Sequence, residues 1–187
     1  GALYGSGLIT NSSSTGDVTS TNSGIVGGAV GQAGGTRPTC PTLTGVVTSG
    51  NVSGNQWIGG VLGYGDCYFI YQSSSSASVV GAPNTALGGV GGIVGFDNQG
   101  GRIEKSYFTG QVQGSESVGG IAGSSRSIIK DSWSTGSVTA VLSTNGGRAG
   151  GLVGQFRNGG STGEPNAQLV NSHASGLVTP PAGSSIT

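Results

Sequence analysis

The stretch "GGVGGIVGF" (88–96) places five glycines around three apolar residues, Val90, Ile93 and Val94. Glycine loses more backbone freedom on folding than any other residue and weakens helices and strands alike. A folded chain gains from such density only where the backbone must turn sharply or lie close to another backbone. The stretch reduces to apolar-Gly-Gly-apolar-x-Gly, and that signature returns. It reads "VGGAVG" at 26–31, "IGGVLG" at 58–63, "VGGIVG" at 90–95, "VGGIAG" at 118–123 and "AGGLVG" at 149–154. "GALYG" at the start of the chain reads as a worn copy. The leading glycines then fall at 1, 27, 59, 91, 119 and 150, which gives a unit of 26 to 32 residues.

A second signature lies between these copies: apolar-x-polar-Ser-x-x-Ser/Thr-Gly-x-Val. Its best copies are "ITNSSSTGDV" (9–18), "IEKSYFTGQV" (103–112), "IKDSWSTGSV" (129–138) and "LVNSHASGLV" (169–178). "LTGVVTSGNV" (43–52) and "IYQSSSSASV" (70–79) are degenerate, and insertions near 32–45 and 72–89 break the pattern. The pieces are short, rich in β-branched residues and bounded by glycine, as strands are. No capped helical periodicity is present. A repeat of this length, with several short strands and no helix, is one coil of a solenoid. The expected fold is therefore all-β: a parallel β-helix, or β-solenoid, of about six coils over 1–187 as one repeat domain, with no significant helix. No coil can bury its own apolar side, so stacking must build ladders of Val, Ile and Leu. At ~4.8 Å per coil, six coils make a rod on the order of 30 Å long.

Composition narrows the function. Charged residues make up 7% of the 187 residues, against roughly 25% in an average soluble protein. Seven basic and seven acidic side chains cancel, so there is no field to attract nucleic acid or an anionic membrane surface. No apolar run approaches the ~20 residues of a membrane helix, so membrane insertion is not expected. Gly and Ser at this level suit a linker, but 33% hydrophobic residues in recurring positions argue for order. With no signal peptide and no initiating Met, the chain reads as a processed or excised piece of a longer one.

The recurrence resembles the GLUG motif family, most closely in "GGLVG" (150–154) with "VNSHASGLV" and in "VGGIVG" with "IEKSYFTGQVQG". The resemblance covers almost the whole chain. It implies a repeat module of large bacterial surface or secreted proteins, among them adhesins and immunoglobulin A peptidases.

Cys40 and Cys67 each lie three residues before the apolar residue that opens the second signature, Leu43 and Ile70. The repeat register thus stacks them on neighbouring coils, at a spacing that a disulfide accepts. A Cys40–Cys67 bond is expected, and with it an oxidising compartment.

The same register brings other side chains together. Lys105 and Asp131 share one motif position in adjacent coils and are expected to form an exposed cross-coil ion pair, worth at most ~1 kcal/mol. Two positions on, Tyr107, Trp133 and His173 align as an aromatic ladder. Ser106, Ser132 and Ser172 alternate with the rings. Small residues suit the crowded inside of a narrow coil, which favours rings that face outward. An outward ladder resembles a sugar-stacking platform; an inward one is core.

Nothing in the chain assembles a catalytic centre. His173 is the one histidine, and no nucleophile-elbow motif surrounds any serine. Asp17, Asp66, Asp97, Glu104, Glu116, Asp131 and Glu164 fall at scattered repeat positions, whereas glycosidases need paired carboxylates. No aspartate repeats in every coil as calcium-binding solenoids require. The glycine-rich stretch lacks the strand–helix unit of a dinucleotide site. No metal and no cofactor is expected. The leading functional reading is therefore a non-enzymatic extracellular repeat module: an adhesin stalk with a glycan or cell-surface ligand, or a filament unit that self-associates end to end through open sheet edges. Ice binding through Thr-rich tracts such as "TGDVTSTNSG" is the alternative. A carbohydrate-active β-helix enzyme is the third.

Overall fold

A computed structural model describes residues 1–22, 24–83, 88–141, 147–158 and 166–181; residues 84–87 of the second insertion and Glu164 lie outside the described residues. Every strand in it is short, two to five residues, and every pairing is parallel to the equivalent strand one coil away. Each coil contributes up to five strands. In the best-formed coil these are Val94–Asp97, Arg102–Glu104, Tyr107–Phe108, Gln111–Gly114 and Ser117–Gly119, which define the first to fifth faces of the rod. The first four faces are six-stranded sheets and the fifth has five strands. The fold is a parallel β-solenoid of six coils.

The leading glycines fall into register, with Gly27, Gly59, Gly91, Gly119 and Gly150 stacked in one column of the fifth face. The first coil departs from the sequence reading. Ala2 pairs with Gln32 and Leu3 with Ala33, so Gly1 stands opposite Gly31 rather than at the position of Gly27. The degenerate copies do join the stack. Ile9, Leu43, Ile70, Ile103, Ile129 and Leu169 form one ladder, and Val18, Val52, Val79, Val112, Val138 and Val178 another. Apart from Leu169 and Val178, which are exposed in the last coil, these columns form the core with Val90, Ile93, Val94 and their equivalents. All three apolar residues of the opening stretch are buried.

Its glycines act by proximity rather than by unusual torsion. None of Gly91, Gly92 and Gly95 has φ in the left-handed region. A Cβ on Gly91 would strike the Val94 carbonyl of its own coil, and one on Gly92 the Gly120 carbonyl of the next coil and the Phe108 ring. A Cβ on Gly95 would stand 2.6 Å from the Ile58 amide nitrogen. The three glycines thus let one coil turn, let the next coil stack on it, and let the first and fifth faces meet backbone to backbone.

The left-handed corner lies elsewhere. Asn11, Gly45, Gln72, Lys105, Asp131 and Asn171 occupy one column after the second face, and all six have φ between 45° and 65°. Asn and Asp tolerate this region better than most residues, and Gly without penalty; Gln and Lys pay for it. The serine that follows holds the corner. Ser106 Oγ donates to the Glu104 carbonyl at 2.9 Å and accepts the Ser73 amide at 3.2 Å. Ser73, Ser132 and Ser172 repeat the arrangement. Each hydroxyl closes its own corner and clasps the preceding coil.

Cys40 and Cys67 form a disulfide with Cα atoms 5.3 Å apart, between the second and third coils and buried. Such a bond is consistent with an oxidising, extracellular compartment. Among the described residues no helix is long and apolar enough to cross a membrane.

Two substitutions separate the two kinds of corner. Gly92→Val should lose at least about 3 kcal/mol in urea unfolding, because the new side chain meets backbone that cannot yield. Lys105→Gly should instead gain about 0.5 kcal/mol, since exposed Lys105 adopts φ 50° and glycine relieves a left-handed strain of ~1–2 kcal/mol while loosening the unfolded chain. A loss of stability in the second variant would contradict the strained-corner assignment.

Candidate functional site

The corner and its serine clasp point the next side chain outward. Backbone bonds from the Tyr107, Trp133 and His173 amides to the Ser73, Ser106 and Ser132 carbonyls then hold the third face in register. Tyr107 and His173 are exposed and Trp133 is half-buried. The Tyr107 and Trp133 rings stack with centroids 4.5 Å apart and planes 2° from parallel. His173 stands in register with Trp133 on the far side. The alternating Ser106, Ser132 and Ser172 do take the inner positions, although their role is the hydrogen-bonded clasp as well as small size.

The expected Lys105–Asp131 ion pair does not form. The two residues share the corner column, but the Asp131 carboxylate lies 3.9 Å from Lys130 Nζ and accepts a bond from Asn171 Nδ2 of the next coil. A neighbour in the same coil reaches the carboxylate more closely than the stacked lysine. The other ion pair among the described residues joins Arg102 and Glu104, also within one coil.

A second surface, absent from the sequence reading, lies where the fifth and first faces meet. Trp57 stacks on Phe96 at a centroid distance of 5.1 Å and packs, tilted, against Tyr64 at 4.6 Å. The Arg157 guanidinium sits 4.5 Å above the Phe96 ring. Small residues form the floor beyond the rings, at Gly88, Ser117 and Ser124, and with Trp57, Phe96 and Arg157 they line an open cavity of about 190 Å³. Glu116 and Gln155 complete its polar wall. Glu116 is fixed there by the Gly88 amide, which donates to its Oε2 at 2.8 Å. Burial, and then the like charge of Arg126, lower the affinity of Arg157 for its proton. The repeat did carry a signal for this surface. Tyr64 and Phe96 each follow the last glycine of the first signature, where other coils place Gln32, Ser124 and Gln155.

Among the described residues Asp97 is the one carboxylate sunk in the core. Its oxygens accept the Gly100 amide at 2.9 Å, the Arg126 amide at 2.9 Å and the Ser127 hydroxyl. Ser127 in turn shares a 2.8 Å bond with the Tyr68 hydroxyl. Burial pushes the Asp97 carboxyl above its ordinary range, and the three donors partly hold it down. The network fills the interior beneath the Asp97–Gly101 turn, with its carboxylate committed to backbone and hydroxyl donors. Among the described residues no group of three or more His, Cys, Asp or Glu side chains gathers as metal ligands would.

No family model, characterised protein or solved structure matches this chain.

The raised Asp97 pKa sets a sign for pH dependence. Between the unfolded value of about 3.9 and the higher folded value, the native state binds more protons than the unfolded one, so stability falls as pH rises. Urea midpoints measured upward from pH ~4 should show a falling contribution that Asp97→Asn removes. A wild-type-minus-variant difference that rises with pH would refute it.

Proposed function

We propose that this solenoid is a non-enzymatic extracellular module of a bacterial surface or secreted protein, which displays glycan-binding side chains on a rigid rod. The observation that carries the reading is the outward Tyr107–Trp133 stack, two parallel rings fixed on the hydrogen-bonded third face. Face-to-face packing fixes the two rings, and exposed Tyr107, whose other neighbour in the column is the small Ser74, offers its outer face to the C–H face of a sugar with little entropy left to lose on binding. The resemblance to GLUG repeats and the buried disulfide support the same setting. His173 extends the row by one coil. Arg102 and Glu104 lie on the adjoining second face and supply polar groups near it.

Ice binding needs a regular rank of threonines. On the fourth face the column runs Thr19, Ser53, Val80, Gln113, Thr139 and Thr179. Valine and glutamine interrupt it at its centre, which favours the adhesive reading. Against hydrolysis stands the dispersal of the carboxylates: Asp97 is engaged in the core, Glu104 with Arg102, and Asp131 with Lys130 and Asn171.

A glycan array probed with the wild-type protein and with Trp133→Ala tests this. Wild type should retain a defined set of glycans, Trp133→Ala should lose at least tenfold in affinity, and neither should release reducing sugar from the bound glycans. An array with no wild-type binding, unchanged binding by the variant, or release of reducing ends would each overturn the proposal.

A further inference from the structure

The cavity between the fifth and first faces carries an unmet chemical demand. Among the described residues six buried side-chain nitrogen or oxygen atoms have no hydrogen-bond partner, and three of them belong to the cavity wall: Ser124 Oγ, Arg157 Nε and Arg157 Nη2. An unpaired buried donor costs roughly 1–3 kcal/mol, and more when charged. Nε and Nη2 form the side-on edge of a guanidinium, the two-pronged fork that matches a carboxylate. Ser124 is almost wholly buried, at 1% exposure. Two side chains from adjacent coils therefore hold three polar atoms, all able to donate, in want of an acceptor beside one opening.

The remaining walls describe the rest of the ligand. Trp57 and Phe96 give an apolar aromatic side. Glu116, Ser117 and Gln155 offer acceptors and donors for hydroxyl groups. At about 190 Å³ the cavity is smaller than the ~300–1,000 Å³ that drug-sized ligands occupy, so one ring fits rather than an oligomer. An apolar side chain with a carboxylate would leave the polar wall unused; a polyhydroxylated ring would not.

We propose that this cavity binds a carboxylated sugar of the hexuronic acid class, with its carboxylate on the Nε/Nη2 edge of Arg157 and on Ser124 Oγ, and its ring against Trp57 and Phe96. The site is separate from the Tyr107–Trp133 stack and does not rest on the reading of that stack.

Isothermal titration of the 187-residue protein with glucuronate, glucose and acetate tests the assignment. Glucuronate should bind at least tenfold more tightly than either of the others. Arg157→Gln should lose at least tenfold in glucuronate affinity, and Arg157→Lys should lose most of the same amount, because it keeps the charge without the fork. Ser124→Ala, which removes one oxygen from the floor, should weaken glucuronate several-fold while the thermal midpoint stays near wild type. Trp133→Ala should bind glucuronate as wild type does, whatever its effect on the glycan array. Equal affinity for glucuronate and glucose, equal affinity for glucuronate and acetate, no binding of glucuronate, or glucuronate affinity unchanged in Arg157→Gln would each overturn the proposal.

Discussion

The close passage of backbone against backbone at the meeting of the first and fifth faces is the constraint on which the rest of this molecule depends. A sheet normally keeps side chains between itself and its neighbour, and those side chains are its core. Here the signature glycines remove them on one side. Gly95 lies against the Ile58 amide, Gly92 beneath the Gly120 carbonyl, and Gly91 against its own turn. The apolar residues between the glycines are freed to point the other way, into ladders shared with the second and fourth faces. Dispersion and hydrophobic burial then act along the rod rather than within a coil. A coil on its own would keep the entropy cost of its glycines and almost none of the burial, which is why the unit exists only in a stack.

The serine clasps solve the complementary problem at the opposite side of the coil. A left-handed corner strains five non-glycine residues in the column, and each hydroxyl offsets that strain by closing the corner and tying it to the coil before. The display of Tyr107 and Trp133 follows from this local chemistry. A serine turned inward obliges the next residue to turn outward, because successive residues of a strand face opposite ways. The aromatic row is thus a by-product of the clasp, and its positions can vary from Ser13 to Trp133 without disturbing it.

The sequence made the fold legible because two interleaved signatures fix the register at several points per coil. That register also placed Cys40 beside Cys67, although neither belongs to a signature. It could not say which neighbour a charged side chain would choose. Lys105 and Asp131 do stack, yet Lys130 in the same coil comes closer to the carboxylate, and repeat alignment compares only equivalent positions. The same limit hid the cavity. Trp57, Phe96 and Arg157 occupy three different repeat positions in three different coils, so no column contains them. Only the depth of the glycine-lined junction brings them together. The worn first copy was misplaced by four positions for a simpler reason: "GALYG" fits either glycine cluster, and pairing of Ala2 with Gln32 decides between them.

The stacking also fixes how the rod would bear load. Every inter-coil hydrogen bond in a parallel solenoid lies near the long axis, so a pull on the two ends strains them coil by coil, as a zipper opens, rather than all at once as a shear would. Such a rod yields progressively and can re-close. The Cys40–Cys67 bond interrupts that sequence, because it locks the 27-residue separation between two coils against extension. The second and third coils would remain joined after their neighbours had parted, leaving a covalently shortened chain and a folding nucleus from which the others can stack again.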